Sequence, residues 1–155
     1  MEAASARSVD DGGRSVPSTP LPQKVLEFLA RPNPAVMATV AKDGAPVSVA
    51  TWYLLEDDGT ILLGLDAKRA RLNHLKRDPR VSLTALADDW YTHVSVRGRV
   101  KSIEDDEGLR DIDRLATHYT GQAYRNRERP RVSVHVEIES WHGWQGGSPL
   151  DADAL

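Results

Sequence analysis

VMATVAKDGAPVSVATWYLLEDDGTILLG, residues 36–64, decides the fold. Val36, Ala38 and Val40 alternate with Met37 and Thr39, the period-two pattern of a strand with two unlike faces. Lys42-Asp43-Gly44 then supplies hairpin chemistry, because a tight reversal needs a positive φ that Gly adopts without steric cost. Pro46 to Leu55 is almost wholly apolar or small, which predicts a strand covered on both faces. Asp57-Asp58-Gly59 makes a second turn, and Thr60 to Leu65 a third strand.

Downstream the period changes. Leu72 and Leu75 stand one helical turn apart, and Asp78-Pro79 ends that segment because proline disfavours a helical residue before it. Arg80 to Ala87 is a fourth strand. Thr92 to Ser102 is a fifth, with Val94, Val96 and Val100 on one face and His93, Ser95, Arg97, Arg99 and Lys101 on the other. Residues 105–119 predict an amphipathic helix through Leu109, Ile112, Leu115 and Tyr119, and the acids Glu104 to Glu107 fit its N-terminal turn, where they offset the helix dipole. In the last strand Val132, Val134, Val136 and Ile138 oppose Ser133, His135, Glu137 and Glu139. Upstream, Pro22 opens a short helix carrying Val25, Leu26 and Leu29, and Pro32 and Pro34 stop it. These elements predict a mainly β domain over residues 20–145, a small six-stranded antiparallel barrel with short flanking helices. Residues 1–19 read as a disordered tail, with too little apolar surface to offset ordering entropy, and 146–155 as a flexible one.

Composition narrows the function. A chain of 155 residues with 40% apolar content suffices for one core, and no run of about 18 apolar residues predicts a membrane span. The chain has no Cys, hence no disulfide framework, thiolate metal site or Cys nucleophile, and residues 1–19 lack the apolar segment of a secretory signal. Both points favour the cytoplasm. A net charge of −3 argues against a nucleic-acid partner. The average hides two basic islands: Lys68, Arg69, Arg71, Lys76, Arg77 and Arg80, and then Arg125, Arg127, Arg129 and Arg131.

The first island surrounds a strand–turn–helix junction. Free N–H groups at the helix start favour an anion, and guanidinium forks match phosphate oxygens, so the segment reads as a phosphate clamp. The same charges also fit a solvated helix face. His93 is the one candidate for acid–base chemistry, on a strand face made basic by Arg97 and Arg99, and it equally fits an exposed side chain. Trp52 and Tyr53 fit core or interface filling as well as a stacking platform. The histidines lack metal-ligand spacing, and no metal site is expected.

The strings VMATVAKDGAPVSVATWYLLEDDGTILLG, AKRARLNHLKRDPRVSL (67–83) and HVSVRGRV (93–100), in that order, resemble the pyridoxamine-phosphate oxidase-like split β-barrel family, and most of all its branch using the deazaflavin coenzyme F420. The resemblance covers roughly residues 22–144. It implies a homodimer with each cofactor in a groove between protomers. It also implies hydride transfer between the deazaflavin and an unsaturated small molecule. Use of FMN in the same fold, or a non-catalytic cofactor- or haem-binding role, are the alternatives. Carried over by position, it places the cofactor against Val49, Ala50, Thr51 and Trp52, against Gly64 and Leu65, its phosphate on Lys68, Arg69 and Arg71, and its ring near His93. Val49 stands where pyridoxamine-phosphate oxidisers carry an Arg, and the C-terminal end lacks their substrate-holding Arg, so vitamin B6 oxidation is not expected. The resemblance also leaves Arg125 to Arg131 free to meet the anionic oligoglutamate tail of F420.

Overall fold

The computed structural model describes residues 8–9, 15–16 and 20–150. Ahead of the domain, β1 (Ser8–Val9) and β2 (Ser15–Val16) pair antiparallel with each other. The rest of the tail expected over 1–19, and residues 151–155, lie outside the described residues. The domain runs α1 (Gln23–Leu29), β3 (Ala35–Val40), β4 (Pro46–Thr51), β5 (Leu54–Leu55), β6 (Ile61–Asp66), α2 (Ala70–Arg77) and β7 (Arg80–Leu86). It continues through β8 (His93–Asp105), a short 3-10 turn (Glu107–Leu109), α3 (Arg110–Thr120), β9 (Arg131–Gln145) and β10 (Ser148–Leu150). No helix among the described residues is long and apolar enough to cross a membrane.

The six longer strands are those the sequence predicts. With the two-residue β5 they form one antiparallel sheet in the order β4-β3-β7-β8-β9-β6-β5, which curls into a barrel but does not close. One lip of the open seam is β4. The other is β6, which pairs with β9 along its length and with β5 only at Ile61 and Leu62. Inward-facing Met37, Leu63, Leu65, Leu83, Ala85, Val94, Val96, Val134 and Trp141 fill the barrel, and Val25 and Leu29 of α1 belong to the same core. A smaller cluster, Leu62 with Ile112 and Leu115, sits where α3 covers the other face of β6.

Three expectations are corrected. The strand expected over Pro46 to Leu55 is broken at Trp52-Tyr53, which carry the chain from β4 to β5 at the opposite end of the sheet. Nor is it covered on both faces: β4 is a sheet edge, exposed from Pro46 to Ala50, with Val47 and Val49 each 39% accessible. Residues 148–150, assigned to a flexible tail, form β10 against Gly143–Gln145. Gly146 and Gly147, both at positive φ, make that reversal, and Leu150 then covers the bare backbone of Gly143. The expected helix over 105–119 begins later, at Arg110, because Gly108 and Leu109 take left-handed φ. Asp106 satisfies its free donors, accepting from the N–H groups of Asp111 and Ile112 at 2.9 and 2.8 Å.

Candidate functional site

The open seam forms a groove of about 590 Å³, within the size range of small-molecule sites. The β4 lip contributes Ala50 and Thr51, with Trp52 beyond them; the β6 lip contributes Gly64. Pro32, Pro34 and Ala35 lie at one end. Ile112, Leu115 and Tyr119 come from α3, Arg71 from α2, and Tyr124 and Arg131 from the segment entering β9. None of these lining residues is acidic.

Among the described residues, two guanidiniums therefore share a groove without a carboxylate. Arg71 projects from the first turn of α2, a helix whose N-terminus has no side-chain cap, with Nη1 3.5 Å from the Met37 sulfur. Burial pushes its guanidinium below the ordinary Arg value, and the positive charges of Arg131 and Arg69 push it further. Asp66 opposes that shift, but its oxygens are engaged. It accepts from the Lys68 N–H and from Arg129 Nη1, each at 2.9 Å, and the Lys68 N–H is the main reason its carboxyl lies below the usual range, ahead of the charges of Arg129, Arg131 and Arg69. Arg131 is held in place by neutral groups. Its Nη2 donates to the Gly64 carbonyl at 2.8 Å and its guanidinium lies 5.0 Å from the centre of the Tyr124 ring. Its Nε is buried without a hydrogen-bond partner, an open donor where most buried donors are satisfied.

Gly64 makes this arrangement possible. A Cβ there would sit 2.8 Å from a Leu115 methyl and 3.1 Å from an Ile112 methyl, so the bare backbone lets these α3 side chains pack close against β6. The aromatic wall is also fixed. Trp52 stacks on Tyr119 with centroids 5.4 Å apart and planes 14° apart, and the Tyr119 hydroxyl donates to the Asn33 carbonyl at 2.7 Å. Burial pushes the Tyr119 phenol up to about 12, so it stays protonated at neutral pH. Tyr53 is core instead, fully buried, accepting from Asn33 Nδ2 at 3.0 Å.

Of the residues carried over from the resemblance, the groove gathers Ala50, Thr51, Trp52, Gly64 and Arg71. The other five lie outside its lining. The Leu65 side chain is buried in the barrel core; Val49 is on the exposed edge; Lys68 and Arg69 are exposed in the turn before α2. His93 starts β8, its Nδ1 3.3 Å from the Trp90 carbonyl. The second basic island divides. Arg127 pairs with Asp113 at 2.6 Å and Arg129 with Asp66 at 2.9 Å, which leaves Arg131 as its contribution to the groove. Sequence reasoning did not single out Tyr124 or Tyr119 as site residues, and it reached Arg131 only as one of the island Arg125 to Arg131, set toward the tail of F420. The available signal was alternation: Arg131 and Ser133 begin the polar face of β9, which lies beside Gly64 in register. Among the described residues no cluster of three or more His, Asp or Glu could hold a metal ion.

The family model for pyridoxamine 5'-phosphate oxidase matches residues 21–145. Among solved structures, an F420 reductase superposes with a TM-score of 0.71 at 26% identity, covering 78% of this chain and 98% of that one. A conserved hypothetical protein of Mycobacterium tuberculosis follows with a TM-score of 0.63 at 24% identity, covering 94% and 89%. General Stress Protein 26 of Bacillus anthracis gives 0.62 at 17% identity, covering 83% and 95%; at such identities the likeness is one of fold. No curated protein matches the sequence.

Proposed function

The chain belongs to the pyridoxamine 5'-phosphate oxidase family, whose members include flavin-binding oxidoreductases, and on that premise we propose that it is an F420-dependent oxidoreductase of the cytoplasm. The observation that carries this reading is the pair Arg71 and Arg131, one desolvated and the other with a buried, unpartnered Nε, in a groove with no acidic side chain among its described lining residues. Such a pair fits the phosphate of a phosphorylated, ring-bearing coenzyme, since guanidinium–phosphate hydrogen bonds are charge-assisted and directional. The F420 reductase at 26% identity supports a deazaflavin over FMN as that coenzyme.

When bound, a reduced deazaflavin would supply a hydride to an unsaturated small molecule, with the balancing proton taken from solvent. The chain's own residues bind, orient and exclude water. Arg71 and Arg131 take the phosphate. Ala50, Thr51 and the bare backbone at Gly64 leave room for a flat ring between the lips, and the Trp52–Tyr119 stack walls the groove. A second copy of the chain, packed on the exposed edge β4, would complete the cover. This homodimer rests on the uncovered Val47 and Val49 and on the family resemblance.

Titrating the protein with F420 and with FMN, followed by fluorescence, tests the proposal. F420 is expected to bind more tightly, and Arg71→Ala with Arg131→Ala to weaken it by about 3–6 kcal/mol, two charged hydrogen bonds at roughly 1.5–3 each. Preference for FMN moves the reading to a flavin enzyme of the same family. Unchanged affinity in the double variant removes the clamp.

A further inference from the structure

The outward face of the sheet carries a second polar concavity, of about 600 Å³, which shares no described lining residue with the seam groove. It lies toward the other end of β3 and β4, around Val40 and Pro46 rather than Ala35 and Thr51. Across its floor runs a row set by strand register. Ser82 of β7 stands opposite Arg97 of β8, and Arg97 opposite Ser140 of β9. Directly opposed side chains in antiparallel strands are near neighbours on one face. The row therefore places a guanidinium between two hydroxyls.

The surrounding charges are already matched. Arg80 clasps Asp78 through Nε and Nη2, at 3.0 and 2.7 Å to its two oxygens, and Arg99 Nε meets Glu139 at 3.0 Å. Hydrogen bonding from Arg80 holds the Asp78 carboxyl down to about 2, so that pair remains ionised through the physiological range. Thr39, at the concavity's edge, is engaged with His74 Nδ1 at 2.9 Å. Arg97 is different: it forms no ion pair with any described residue. Ser82 and Ser140 likewise have no side-chain hydrogen bond among the described residues, although Ser140 is buried. The β8–β9 bulge between Arg97 and Gly98 puts Glu139, the extra residue, on Arg99 rather than on Arg97.

We infer that the row Ser82–Arg97–Ser140 is an oxyanion-binding site, separate from the seam groove, that takes the phosphate or carboxylate group of a small anionic molecule. A planar guanidinium donates two parallel hydrogen bonds to either group, and flanking hydroxyls supply neutral donors that do not discriminate between them.

The test is calorimetric titration of the full chain with inorganic phosphate and with acetate at low ionic strength. The Arg71→Ala, Arg131→Ala background removes the seam cations first. That protein is expected still to bind one phosphate or acetate per chain. Adding Arg97→Ala is expected to weaken this binding at least about tenfold, as loss of one charged hydrogen bond implies. Arg97→Lys is expected to recover part of it, and Ser82→Ala with Ser140→Ala to weaken it less. Preference for phosphate or for acetate identifies which group the site takes; either result supports it. Loss of all anion affinity on removing the seam cations would overturn the inference and leave the seam reading intact. So would Arg97→Ala that alters sedimentation of the chain but not anion affinity, which would make the row a contact between copies. Loss of F420 binding in the seam variant, with phosphate binding at Arg97 retained, would leave both the site and the clamp standing.

Discussion

β4 and β6 are the two lips of one seam, both mostly apolar or small and opposite in fate. PVSVAT lies bare along the sheet edge, whereas ILLGLD is buried on both faces. The difference is in their neighbours. β9 runs along β6, the barrel interior takes Ile61, Leu63 and Leu65, and α3 closes over Leu62 and Gly64. β4 has β3 on one side and, among the described residues, no strand on the other. An apolar run thus states that a strand will be covered without stating by what. At β6 the cover comes from this chain; at β4 the proposal assigns it to a second one.

The comparison is open to attack at several points. Leu62→Ala should have the largest effect, about 2–5 kcal/mol of lost stability, because Leu62 is fully buried between β6 and α3 and its truncation leaves a cavity. Denaturant midpoints at low protein concentration measure it, and a cost below about 1 kcal/mol would mean that α3 does not cover this lip. Next comes Gly64→Ala. Its Cβ meets the Leu115 and Ile112 methyls, so these buried side chains must repack, at about 1–3 kcal/mol, and the Arg131 hydrogen bond to the Gly64 carbonyl should weaken with it. F420 affinity should therefore fall in this variant although no cation has been removed.

Tyr119 tests the wall shared by the two lips. An unfolded phenol releases its proton near 10.0 and the folded one near 12, so the folded state holds more protons between these values. Stability should be intact below pH 10 and fall as pH rises toward 12. Tyr119→Phe should lose about 0.5–1.5 kcal/mol at neutral pH with the Asn33 hydrogen bond and show a shallower alkaline decline, with Tyr53 supplying what remains. The smallest effect on a single chain belongs to Val47→Ala with Val49→Ala, within about 0.5 kcal/mol for each exposed site. Sedimentation at high concentration should nevertheless show weaker association. A stability cost equal to that of Leu62→Ala would erase the contrast between the lips.

Much of the barrel was legible because period-two alternation reports two unlike environments, and β7, β8 and β9 meet such environments within one chain. The β4 reading failed at the step where composition was taken to name the neighbour. The C-terminal reading failed because Gly-Gly was taken as loose chain, whereas two positive-φ residues can equally reverse a strand, and Leu150 had Gly143 to cover. At the site, Arg71 was legible from its place at a helix start. Arg131 was legible only as one of its island, since four arginines within seven residues look alike until their acids are located: Asp113 lies 14 positions from Arg127, and Asp66 lies 63 from Arg129.

The sequence by itself determined the strands, the turns between them and the presence of excess positive charge, because these follow from local sterics and residue spacing. Tertiary structure decided which charges are spent on carboxylates and which face the seam. Ion pairing depends on separations in space that only the closed sheet fixes, and one partner's distance along the chain does not reveal them.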